Sequence, residues 1–135
     1  MRRVVFYIYL LISLAGCEMG NGRSWPNDVN GDVFRSLEKH GFDFEKEHLV
    51  DINLDFDHWP LTEDELSYVK SLYPTIEIIL PDEGEDIGNG VDVGFLQFQV
   101  KTKLTYEYIV ITQEEITGKI SKIGGWCNSW GVLHE

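Results

Sequence analysis

His48-Leu49-Val50-Asp51-Ile52-Asn53-Leu54-Asp55-Phe56 changes character at every step. His48, Val50, Ile52, Leu54 and Phe56 fall on one side, while Asp51, Asn53 and Asp55 fall on the other. Successive side chains of an extended chain point to opposite faces, so this stretch predicts a half-buried strand with one face on a core and one polar face.

The segments on either side of it give the rest of the architecture. Thr62-Glu63-Asp64-Glu65 is a capping box, in which the threonine oxygen takes the Glu65 backbone N–H and the glutamate side chain reaches back to the threonine N–H. Leu66, Val69 and Tyr73 form the apolar stripe of the helix it opens, and Pro74 closes it. Thr75 to Leu80 is short, β-branched and apolar, and it runs into the turn signal Pro81-Asp82-Glu83-Gly84 and an acidic loop. Val91 to about Lys103 reads as a third strand, with Leu96, Phe98 and Val100 inward and Gln97, Gln99 and Lys101 outward.

Residues 105–123 carry two signals. Tyr108-Ile109-Val110-Ile111-Thr112 has the composition of a strand, whereas Ile109, Gln113, Ile116, Ile120 and Ile123 recur at helical spacing. Helix is the expectation, since Gly118 weakens it by only about 1 kcal/mol. Trp126 to Leu133 then closes the sheet. Upstream, Asn30 is expected to cap a first helix with Val33, Phe34 and Leu37 on one face and Gly41 as its stop. Without that helix the order is βαββαβ, an α+β two-layer sandwich with helices on one face of a mainly antiparallel sheet. The first helix is free to cover part of the polar face.

The N-terminus bears on location. Arg2 and Arg3 precede an apolar run from Val4 to Leu14, which is well short of the roughly 20 residues of a membrane-spanning helix. Leu14-Ala15-Gly16-Cys17 resembles the bacterial lipobox, whose cysteine is lipidated after cleavage of the segment before it. The expected division is a signal segment at 1–16, a lipidated N-terminus and tether at 17–28, and a domain at 29–135. The tether is rich in Gly, Asn and Ser between Glu18 and Pro26. Such a domain is extracytoplasmic, on the bacterial cell membrane or outer membrane. With Cys17 lipidated, only Cys127 is left as a free thiol, either buried or paired with a second chain.

Charge narrows the partners. The net charge is −12, and cleavage before Cys17 removes two arginines and no acid, leaving −14. A field of that sign repels nucleic-acid phosphates and anionic lipid and favours a basic protein partner.

Gly124-Gly125-Trp126-Cys127-Asn128-Ser129-Trp130-Gly131 is similar to the terminal signature of the RraB family, regulators of ribonuclease E activity. Three further features agree: a first helix ending in Gly41 and Asp43, a strand beginning His48-Leu49-Val50-Asp51, and the same order of elements over roughly 29–134. The resemblance implies a ferredoxin-like domain without catalytic residues that works by binding another protein, in the best-known members by inhibiting an RNA-cleaving enzyme. Cys127, Asn128 and Ser129 stand where the family usually has tyrosine, aspartate and glycine. Ribonuclease E is cytoplasmic, whereas a lipobox directs a chain across the membrane.

The remaining constellations are weak as chemistry. Asp28-Val29-Asn30-Gly31-Asp32 begins like a calcium loop, but Val33 and Lys39 occupy positions that need glycine and a closing glutamate, so a helix cap is the simpler reading. The acids of Asp51 to Asp57 follow strand alternation. His40, His48, His58 and His134 form no ligand pair, and no serine sits in a nucleophile motif. Glu83, Glu85 and Asp86 offer paired acids only as a small-hydrolase alternative. Neither cofactor nor metal nor small-molecule substrate is expected. The candidate protein-binding residues are Asp51, Asn53, Asp55, Gln97 and Gln99 on the polar sheet face, together with Trp130, which either anchors the last strand or contacts a partner.

Three functional readings follow. The first is an RraB-like, non-catalytic acidic binding module anchored by lipid. The second is a literal cytoplasmic regulator of ribonuclease E, and the third is a small hydrolase.

Overall fold

The computed structural model describes residues 24–80 and 94–132. Its centre is the alternating stretch, which forms β1 (Glu47–Phe56) and pairs antiparallel with β3 (Phe95–Lys103) on one side and β4 (Gly125–Val132) on the other. A short β2 (Glu77–Ile79) lies antiparallel against the far edge of β3, so the sheet order is β2-β3-β1-β4. The result is an α+β fold with a four-stranded antiparallel sheet. One helix crosses between β1 and β2, and another crosses between β3 and β4.

Each helix forms for a local reason. In α2 (Glu63–Leu72) the capping box is present in full, with Glu65 N–H donating to Thr62 Oγ1 at 3.2 Å and Thr62 N–H donating to Glu65 Oε1 at 2.9 Å. In α3 (Tyr106–Ile120) Thr105 is the cap and takes the Tyr108 N–H at 3.1 Å. The two-way signal at 105–123 resolves as helix because Ile109, Ile116 and Ile120 are all buried. Burial of such a side chain contributes roughly 1.5–3 kcal/mol, more than the strand preference of a β-branched run can recover. A Cβ on Gly118 would meet open space, consistent with its tolerance there.

The first helix, α1 (Val29–Lys39), departs from expectation at its start and in its placement. Asp28, not Asn30, is the cap, and its Oδ1 accepts the Gly31 N–H at 2.7 Å. The helix does not cover the polar face either. Phe34 and Leu37 join the same core as Val69, Ile109, Ile116, Ile120 and the inward residues of β1, so all three helices share one face of the sheet. The apolar stripe of α1 places Phe34 and Leu37 in that core. Trp25, at the end of the expected tether, packs with its ring centroid 5.5 Å from both Phe34 and Phe44. No helix among the described residues is long and apolar enough to cross a membrane.

Candidate protein-binding face

On the sheet face turned away from the helices, the side chains of β1, β3 and β4 line up in rows. Gln97 Nε2 donates to Asn53 Oδ1 at 2.9 Å, and Asn53 Nδ2 donates to Ser129 Oγ at 3.1 Å, a ladder that runs across three strands. One row along, Gln99 Nε2 donates to Asp51 Oδ1 at 2.7 Å, opposite Gly131. Such cross-strand pairs are the unit of sheet stabilisation, and charge-assisted ones are the stronger.

The candidate residues do not share one environment. Asp51, Asn53 and Gln97 are 3, 2 and 9% exposed, so they are bonded and enclosed, whereas Gln99 is open to solvent and Asp55 is half-buried. Burial pushes the Asp55 carboxyl above the usual range. Trp130 is not on this face at all. It lies opposite Ile52 on the core side, with its ring centroid 5.4 Å from that of Phe34 and its indole N–H donating to Asn30 Oδ1 at 2.9 Å. These contacts tie the last strand to α1.

The cause is an irregularity in β4. Asn53 is opposite Ser129 but Asp55 is opposite Trp126, so two residues of β4 oppose Leu54. This β-bulge flips the alternation between the two tryptophans. Trp126 therefore comes out on the polar face, 37% exposed, beside Asp55. Period-two counting alone missed this residue, since positions 126 and 130 share a face in a regular strand.

Elsewhere the geometry is structural. Asp28 caps a helix and is bonded to the Tyr106 hydroxyl, which holds its carboxyl below the usual range. His58 bridges Asp57 and Glu65, with Nδ1 2.6 Å from Asp57 Oδ1 and Nε2 2.8 Å from Glu65 Oε2. Cys127 is buried, and its thiol is pushed up to about 12 by desolvation and by Asp55. Among the described residues no group of three or more His, Cys, Asp or Glu side chains is placed to hold a metal ion. A cleft of about 620 Å³ opens on the helix side between Trp25, Phe44, Leu104, Tyr106 and Ile111, with only Ser24, Thr105 and Glu107 as polar lining. Cys17, Glu83, Glu85, Asp86 and His134 lie outside the described residues.

The model of one protein family, Regulator of ribonuclease activity B, matches residues 27–132, the span from the approach to α1 to the end of β4. The chain belongs to the RraB family. No curated protein matches it. The RraB family is regulatory and protein-binding, not catalytic.

The RraB-like signature has physical content in this fold. Gly124 adopts a φ of 79°, the left-handed conformation that favours glycine, and a Cβ there would displace the exposed Asp57 carboxyl. A Cβ on Gly125 would stand 2.7 Å from Phe56 Cε1 and 2.8 Å from Ile120 Cδ1. The pair thus lets β4 start flush against β1, where Asp57 N–H donates to Gly124 O at 2.9 Å. Trp130 fastens the other end of the strand to α1.

Proposed function

We propose that this RraB-family chain is an acidic, non-catalytic regulator that binds a basic segment of another protein, and that a lipid on Cys17 holds it at a bacterial membrane with the domain outside the cytoplasm. The polar ladder across β3, β1 and β4 is the observation that carries the binding reading. Enclosed Gln97 and Asn53 brace each other and enclosed Asp51 accepts from Gln99, which fixes Gln99 on a stiff polar surface that also carries the Asp55 carboxylate. Preorganised polar groups of that kind favour a complementary charge. The antiparallel order β2-β3-β1-β4 with two helical crossovers supports reading the domain as ferredoxin-like with an added N-terminal helix. The basic head, apolar run and Leu14-Ala15-Gly16-Cys17 support the anchor.

Metabolic labelling with a fatty-acid probe tests the anchor: label that disappears in Cys17→Ala is expected, and an unlabelled wild type overturns it. Capture from solubilised membranes tests the face: Gln99→Lys is expected to reduce recovery of the partner while leaving the domain folded.

The family match favours a second reading, in which the chain is uncleaved, faces the cytoplasm and regulates ribonuclease E itself. Recovery of ribonuclease E as the main captured protein supports it, as does a domain resistant to protease in intact spheroplasts and cut only after lysis.

A further inference from the structure

At the end of the polar face where β1 runs out, Asp55 and Trp126 stand directly opposite each other on adjacent strands. Directly opposed residues have Cα atoms about 4.5–5.5 Å apart and share a face, so the carboxylate and the indole lie side by side. Trp126 is exposed between two buried neighbours, Gly125 and Cys127, and makes no contribution to the core cluster. Asp55 is half-buried and forms no ion pair with a described residue. Burial raises its pKa, the mark of a carboxylate without its counter-charge.

The two lysines of this face cannot supply that charge. Lys101 is opposite Leu49 and Lys103 opposite Glu47, at the other end of β1. Six residues of strand, about 20 Å, separate Leu49 from Asp55. The carboxylate thus waits for a cation from outside, and the indole beside it is the best aromatic surface for one.

Resting on the binding reading above, we infer that Asp55 and Trp126 form a seat for a single arginine side chain carried by an extended segment of the protein partner. A guanidinium is planar, stacks on an aromatic face and offers N–H groups along its edge, so one group can cover the indole and donate to the carboxylate together. A lysine ammonium is a point charge and meets only one of these at its best geometry. Trp and Arg are also the residues that most often dominate protein interfaces.

The test uses the full chain uniformly ¹⁵N-labelled, titrated with the peptide acetyl-Arg-Val-Arg-Val-Arg-amide and with its lysine and glutamine counterparts. The expected result is movement of the Trp126 indole resonance while that of Trp130 stays, with the arginine peptide tightest of the three. Asp55→Asn, which keeps the side-chain shape, should weaken binding by about tenfold. Trp126→Leu should do the same, with the unmoved Trp130 resonance reporting an intact fold. A still Trp126 indole, or equal affinity in Asp55→Asn, overturns the inference. If the Gln99 amide moves while Trp126 does not, this seat is removed and the binding face stands; if no resonance of the face moves, both fall.

Discussion

The indole N–H of Trp130 donates to Asn30 Oδ1 across 100 positions of the chain, and Asn30 Nδ2 in turn donates to Gln113 Oε1 at 2.7 Å. One asparagine thereby ties α1 to both β4 and α3. Its loss leaves a part-buried donor and a part-buried acceptor without these partners, each costing of the order of 1 kcal/mol. Asn30→Ala should lower the unfolding free energy by about 1–3 kcal/mol in urea titrations. Trp130→Phe keeps a ring against Phe34 and should cost less than Trp130→Ala. Combining Asn30→Ala with Trp130→Phe should be less than additive, since both remove the same hydrogen bond.

Four glycines should respond differently to alanine. Gly124→Ala and Gly125→Ala each force an overlap, and Gly124 also has positive φ, so both should destabilise by at least about 1 kcal/mol. Gly131→Ala meets nothing within 4 Å and should be close to neutral. Gly118→Ala, in the middle of α3 with open space around it, should stabilise by about 0.5–1 kcal/mol. Thermal unfolding of the four variants gives the ranking directly.

His58 links the end of β1 to the first turn of α2 through Asp57 and Glu65. Those two carboxylates raise its pKa above the ordinary 6.5. A group raised by folding contributes stability that is fully present below its unfolded pKa and is lost as pH rises through the folded value. Glu65 is lowered by the Thr62 backbone and by His58, so its contribution is present above its unfolded pKa and is lost as pH falls through the folded value. The His58 ring protons should titrate above 6.5 by NMR, and His58→Gln should remove the fall in stability over that window. A titration at or below 6.5 would contradict the bridge.

Cys127 should be chemically silent while the protein is folded. Its thiol is enclosed, and a pKa of about 12 leaves almost no thiolate at neutral pH. Maleimide or iodoacetamide should leave it unmodified for as long as the fold persists, and label it at once in denaturant. Fast labelling of the native protein would show the β4 end of the sheet opening.

The parts of this fold that were legible in advance are those set by neighbours in sequence. The alternation of β1, the capping box of α2 and the helical spacing of Ile109, Ile116 and Ile120 each express a local geometry that the residues themselves specify. The cap of α1 is not legible locally, because Asp28 and Asn30 are both good capping residues and the choice is made by distant groups. Asn30 is drawn off by Trp130 and Gln113, while Asp28 is held by Tyr106. The side taken by α1 is likewise set by distant contacts, among them Phe34 against Trp130.

The candidate site shows the same division. The sequence by itself determined that β1 carries a polar face of negative sign, because alternation is a property of the extended backbone. Only the tertiary structure decided which of its polar side chains are enclosed, and which tryptophan accompanies them. One extra residue opposite Leu54 in β4 sends Trp130 into the core and Trp126 outward. A bulge exists only between two paired strands, so its consequence for the binding face cannot be read from either strand alone.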